Sequence, residues 1–127
     1  MRLIIVRHAE AAPGEPDELR PLTPDGRADA RALGKQLAAE FPGTVLCSPL
    51  LRARETAEPI AEAAGVQVEL NERLAPGATV DDVREVVAGR AAPVVIVGHQ
   101  PDCSEIVFAL TGREERFRPG AFLAVEL

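Results

Sequence analysis

Cysteine is scarce in this chain of 127 residues: Cys47 and Cys103 are the only two, both in apolar surroundings and without CxxC or metal-ligand spacing. That spacing speaks against a disulfide and offers no thiolate metal site. It reads as two buried thiols in a protein of the reducing cytoplasm. Long apolar runs are missing as well. None approaches the roughly 20 residues that a membrane-crossing helix needs, and "MRLIIV" is cut short by "RHAE" where an export signal would stay apolar. Positive net charge is absent: 14 Lys and Arg against 20 Asp and Glu leave −6. The chain as a whole is therefore not expected to seek nucleic acid or an anionic membrane surface. Any anion it binds must be held by a local cluster. Repeats, linkers and low-complexity segments are also lacking, which leaves one domain over residues 1–127. With 46% hydrophobic and 27% charged residues, that domain reads as soluble and globular.

What is present alternates between two periodicities. "RLIIV" (2–6) is short, continuous and β-branched, the pattern of a strand covered on both faces. Residues 11–26, rich in Pro, Gly and Asp, predict a long loop. Residues 24–40 predict a helix, with Pro24 in its first turn and Ala28, Leu33, Leu37, Ala38 and Phe41 on its apolar face. "TVLCS" (44–48) is a second strand. The following helix is expected to use Ser48 as N-cap and Pro49 as its first residue, to kink at Pro59 and to end on Gly65. "VQVEL" (66–70) is an exposed strand, and 79–89 is a helix opened by Thr79. "APVVIVGH" (92–99) is the most hydrophobic strand, 101–112 a helix ended by Gly112, and 121–127 an edge strand. Strands alternating with helices imply an α/β fold of three layers, helices on both faces of a mostly parallel sheet.

Histidine is as rare as cysteine, and its two copies occupy matching places. His8 follows the first strand and His99 follows the most hydrophobic one. In a parallel sheet, ligands bind at the carboxyl ends of strands. Arg7 accompanies His8, and "CSPLLRARET" puts Arg52 in the first turn of a helix after another strand. Taken singly, each has a plain structural explanation: a satisfied histidine, a surface charge, a helix-face arginine. A metal site is weakly supported, because no carboxylate ligand set goes with the two histidines. Taken together, two imidazoles and two guanidiniums at one sheet edge suit a phosphoryl group. Arginine forks match its oxygens, and a neutral histidine can attack phosphorus. A buried strand that ends on two cations, Arg7 and His8, is then balanced by a dianion.

"VRHAE", "SPLLRARETA" and "VIVGHQP", with "RPLTPDGRADA" between the first two, resemble the histidine phosphatase superfamily, also called phosphoglycerate mutase-like. The brevity of the chain resembles its short SixA-type phosphohistidine phosphatase branch, which lacks inserted cap segments. The resemblance implies a phosphoglycerate mutase-like α/β/α fold without a cap domain. It implies a metal-independent hydrolase with no cofactor, in which His8 becomes phosphorylated while Arg7, Arg52 and His99 bind the phosphoryl oxygens. Ala9 stands where the wider family has Gly. Arg20, just before "PLT", is a candidate rim cation or a solvated loop charge. The family's general acid falls after the third strand, where Glu72 fits in order. Glu72 is equally readable as a loop cap or a partner of Arg73, and Glu10 is the second candidate.

Three functions follow as expectations. The first is a phosphatase acting on phosphohistidine in proteins, since little is left to cover the site. The second is a phosphomonoesterase of a small sugar or nucleotide phosphate, for which a lid is expected. The third is a phosphate-binding module without turnover. A mutase is disfavoured, because few further cations are placed to hold a second phosphate.

Overall fold

Five strands and four α-helices alternate in the computed structural model, which describes residues 1–127. In chain order they are β1 (Arg2–Arg7), α1 (Pro24–Ala38), β2 (Thr44–Cys47), α2 (Leu51–Ala64), β3 (Val68–Leu70), α3 (Val80–Val87), β4 (Val94–Gly98), α4 (Asp102–Thr111) and β5 (Phe122–Glu126). The sheet order is β3-β2-β4-β1-β5. All neighbouring pairs are parallel except β1 with β5, which runs antiparallel along the edge.

The continuous apolar runs of β1 and β4 are explained by cover on both sides. Leu3, Ile5, Leu46, Val94 and Ile96 pack under Val83 and Val87 of α3 and Ile106 and Val107 of α4. Ile4, Val6, Val45, Val95 and Val97 pack against Leu33 and Leu37 of α1 and Ala57 and Ile60 of α2. Each fully buried Leu, Ile or Val is stabilising by about 1.5–3 kcal/mol relative to exposure. Leu3 to Val6 are all at 0% exposure, so β1 is the most firmly held support for whatever follows it. β1 and β4 lie side by side, with Arg7 opposite Gly98. The helices that follow them, α1 and α4, leave to opposite faces. The carboxyl ends of neighbouring strands whose helices diverge in this way are where ligands bind in such sheets.

Helix boundaries follow local chemistry. Thr23 caps α1 by accepting from the Gly26 N–H at 2.9 Å, with Pro24 as first residue. Thr79 and Asp82 form a reciprocal capping box on α3. Gly65 and Gly112, both left-handed, end α2 and α4. α1 and α2 meet closely at Gly34, where a Cβ would stand 2.6 Å from the Pro59 carbonyl oxygen.

Three expectations are corrected. α1 ends at Ala38 instead of residue 40, and Phe41 is 83% exposed at φ +52°. Pro42 follows it and disfavours the helical conformation there. Ala28 is exposed too, so the buried face of α1 is Gly26, Ala30, Leu33, Gly34 and Leu37. Ser48 is not the N-cap of α2, which starts at Leu51 with no side-chain cap; its hydroxyl serves the adjacent strand end instead. The loop after β1 also carries a 3-10 turn over Asp17–Leu19 and a single bridge between Ala11 and Leu22.

Candidate active site

His8 is the first residue past β1, and its backbone N–H donates to the Gly98 carbonyl at 3.0 Å. Its Nδ1 lies 2.7 Å from the Ala9 carbonyl oxygen. A carbonyl can only accept, so Nδ1 carries the proton and Nε2 keeps a bare lone pair. Burial, reinforced by the guanidiniums of Arg52, Arg7 and Arg20 and opposed by the Ala9 hydrogen bond, pulls the imidazole pKa down to about 4. His8 is therefore neutral at pH 7. The expectation of two cations at the end of β1 is corrected to one: desolvation and neighbouring arginines discharge the histidine.

His99 stands just beyond β4 and is 3% exposed. Its ring centroid is 5.3 Å from that of His8, and its Nε2 is 2.7 Å from the Ser48 hydroxyl. Burial first, then repulsion from His8 once that ring is protonated and from the Arg52 guanidinium, brings its pKa to about 4 as well. Arg7 closes β1 and donates from Nη1 to the Phe117 carbonyl at 2.8 Å. Two buried side-chain polar atoms in the chain have no hydrogen-bond partner: Nε of Arg7 and Nδ1 of His99.

Arg52 sits in the first turn of α2 and is buried. It donates from Nη1 to the Asp17 carbonyl at 2.9 Å and from Nη2 to the Asp17 carboxylate at 3.2 Å. Arg20 grips the same carboxylate at 3.1 Å and donates from Nε to Ala12 at 2.8 Å. Hydrogen bonds from Arg20 and then Arg52 hold the Asp17 carboxyl below its ordinary range. Arg20 is thus a clamp on the 11–22 loop rather than a solvated charge. One turn along α2, the Thr56 hydroxyl accepts from the Ala9 N–H at 3.0 Å and donates to the Arg52 carbonyl at 2.8 Å. It ties the His8 segment to the helix that carries Arg52. Ala9 is fully buried beside Leu22 and Ala30, so its methyl is accommodated.

Arg7, His8, Arg52 and His99 are thereby gathered by β1, β4 and the start of α2. The two candidate acids are not joined to them. Glu72 is exposed in a 3-10 turn after β3 and makes no hydrogen bond or ion pair with the four. Its expected partner Arg73 pairs instead with Asp82 and Glu85. Glu10 accepts from the Thr23 hydroxyl at 2.7 Å and is engaged at the start of α1. Three contributors were not legible as such: Ser48, Thr56 and Asp17. Thr56 lies four residues after Arg52, the helical spacing that shares a face. Asp17 carried no signal beyond its loop. No three His, Cys, Asp or Glu side chains cluster to hold a metal ion, and no helix is long and apolar enough to cross a membrane.

Against known proteins, residues 3–76 match the profile of the Histidine phosphatase superfamily (branch 1). His99 lies outside that segment. An uncharacterized protein of Picosynechococcus sp. is 35% identical over 140 aligned residues, spanning 98% of this chain and 84% of the relative. Among solved structures, the protein histidine phosphatase SixA complexed with tungstate superposes at a TM-score of 0.88 with 29% identity, covering 100% of this chain and 88% of that one. A mycobacterial glucosyl-3-phosphoglycerate phosphatase in complex with VO3 shares the fold at a TM-score of 0.79 and 20% identity, covering 98% and 90%.

Proposed function

We propose, from the premise that this chain belongs to the histidine phosphatase superfamily, that it hydrolyses a phosphoryl group through a covalent phosphohistidine at His8. One observation carries the reading. The only two buried, unpartnered polar side-chain atoms are nitrogens of Arg7 and His99, residues that flank a histidine with a bare Nε2. Buried polar groups are ordinarily paired, and a phosphoryl oxygen is the partner these two fit.

In the first step the Nε2 lone pair attacks phosphorus. A P–Nε2 bond forms, the bond to the leaving group breaks, and the leaving group departs with the electron pair and takes a proton from solvent. Arg7, Arg52 and His99 stabilise the charge that gathers on the phosphoryl oxygens. In the second step water attacks phosphorus, the P–Nε2 bond breaks, and phosphate leaves with His8 restored. Two permanently charged guanidiniums meet the dianion, so the reaction needs no metal or cofactor. The reading treats residues 1–127 as one histidine phosphatase domain acting in the cytoplasm, where the free, buried Cys47 and Cys103 stay reduced.

The substrate class we favour is phosphohistidine on a protein. Support comes from the position of Glu72, exposed and unattached to the four residues. A weak acid arrangement suits an imidazole leaving group, whereas an alkoxide depends on general acid help. The likeness to SixA points the same way. Turnover of a phosphohistidine protein is to be compared with that of small sugar and nucleotide phosphates, in wild type and Glu72→Gln. The expected pattern is stronger activity on phosphohistidine, little affected by Glu72→Gln. Efficient hydrolysis of an alkyl sugar phosphate, lost in Glu72→Gln, favours a metabolite phosphatase instead. No turnover of either favours a phosphate-binding module.

A further inference from the structure

We propose that Ser48 is a positioning residue that holds His99 with its proton on Nδ1, so that the ring, its centroid 5.3 Å from that of His8, presents a free N–H donor. The role rests on the phosphatase reading above for its purpose, and on hydrogen-bond accounting for its assignment. Ser48 is 0% exposed, so its hydroxyl proton has no water to go to. Two groups approach its oxygen: the Leu50 N–H at 3.2 Å and Nε2 of His99 at 2.7 Å. An N–H cannot accept, so only Nε2 is left to receive the hydroxyl proton.

The alternative arrangement is worse by count. A proton on Nε2 would donate to Ser48, leaving the serine proton without an acceptor and the lone pair of the buried Nδ1 without a donor. With the proton on Nδ1, a single group is unpaired, the Nδ1–H itself. One fewer unsatisfied buried group favours this tautomer by about 5- to 150-fold. Burial keeps the ring neutral, so a neutral tautomer is the species in question.

The two imidazoles therefore share a tautomer and differ in what they leave free. His8 spends its N–H on the Ala9 carbonyl and keeps a lone pair. His99 spends its lone pair on Ser48 and keeps an N–H. One ring is left to attack phosphorus and the other to donate to an oxygen on it, and Ser48 makes the difference. It does so from the end of β2, its N–H held by the Val97 carbonyl at 3.0 Å.

The chain has two histidines, so nitrogen NMR of protein labelled with ¹⁵N-histidine reports two rings alone, with His8→Asn assigning them. Both rings of the wild type are expected to be protonated at Nδ1 and bare at Nε2. Added inorganic phosphate should move the Nδ1 signal of His99. In Ser48→Ala the His99 ring is expected to carry its proton on Nε2 in a large share of molecules, with His8 unchanged, and kcat to fall about five- to tenfold for the lost hydrogen bond. A wild-type His99 protonated at Nε2 overturns the proposal, as does a Ser48→Ala spectrum identical to wild type. The wild-type spectrum decides even if the variant folds poorly. It also separates the two readings: protonation at Nδ1 in a chain that turns over no phosphate compound upholds Ser48 and refutes the phosphatase.

Discussion

At the scale of the residue, charge, geometry and burial act differently on each of the four groups. Arg52 needs its planar fork, because a point charge cannot donate to two oxygens at fixed spacing. Arg52→Lys is expected to lower kcat on the order of 10²–10³-fold, as when one preorganised donor is removed. Arg54 is exposed and reaches only Glu58, at 4.0 Å, so Arg54→Ala should leave steady-state kinetics nearly unchanged; equal losses at both positions would refute this assignment of the α2 faces. The histidines give a pH signature. Both are depressed from 6.5 to about 4, so the unfolded chain binds more protons than the folded one between those values. The stability their neutrality confers is complete above about pH 6.5 and is lost as pH falls towards 4. Thermal melts across that window should show Tm dropping, with part of the slope removed in His8→Gln. An unchanged slope in that variant would show that His8 is not held neutral by the fold. Residue identity alone pointed to Arg7, His8, Arg52 and His99 because scarce, chemically apt side chains recur at strand ends. It did not point to Asp17 or to the hydrogen bond of Ser48, since both depend on partners far along the chain, Arg52 and His99.

At the scale of the element, the local signals and the fold agree wherever one residue decides the outcome. Pro24, Thr79, Gly65 and Gly112 open or close helices where the sequence places them. They disagree where a neighbour intervenes: Pro42 follows the exposed Phe41 and α1 stops short, and Ser48, expected as a cap, pairs with His99 while α2 starts at Leu51. Element contacts also set how firmly the site is held. α1 and α2 approach so closely at Gly34 that a methyl group meets the Pro59 carbonyl oxygen at 2.6 Å. Gly34→Ala should therefore destabilise the fold by about 1–3 kcal/mol, the usual cost of overpacking, although Ala is the better helix former. Urea unfolding checks it: a lower midpoint is expected, and a midpoint at or above wild type would mean the two helices part without cost.

At the scale of the whole molecule, an acidic chain of net charge −6 concentrates two arginines at one sheet edge, where β1 and β4 send their helices to opposite faces. Because the positive charge is built into the fold, full activity is expected after dialysis against a chelator, with strong inhibition by vanadate. Loss of activity on chelation, restored by a divalent metal, would argue for a metal-assisted reaction. The three-layer fold was legible from the alternation of strand and helix patterns. The pairing of β1 with β4, which unites the histidines, was visible only as an expectation that strand ends converge. The central claim is the covalent step at His8, and it is tested most directly by intact-mass analysis during turnover of a phosphohistidine protein, quenched without acid. The predicted result is a single phosphoryl group per chain, acid-labile and base-stable, absent together with activity in His8→Ala. A His8→Ala protein with near-normal turnover, or a phosphoryl group carried on another residue, would contradict it.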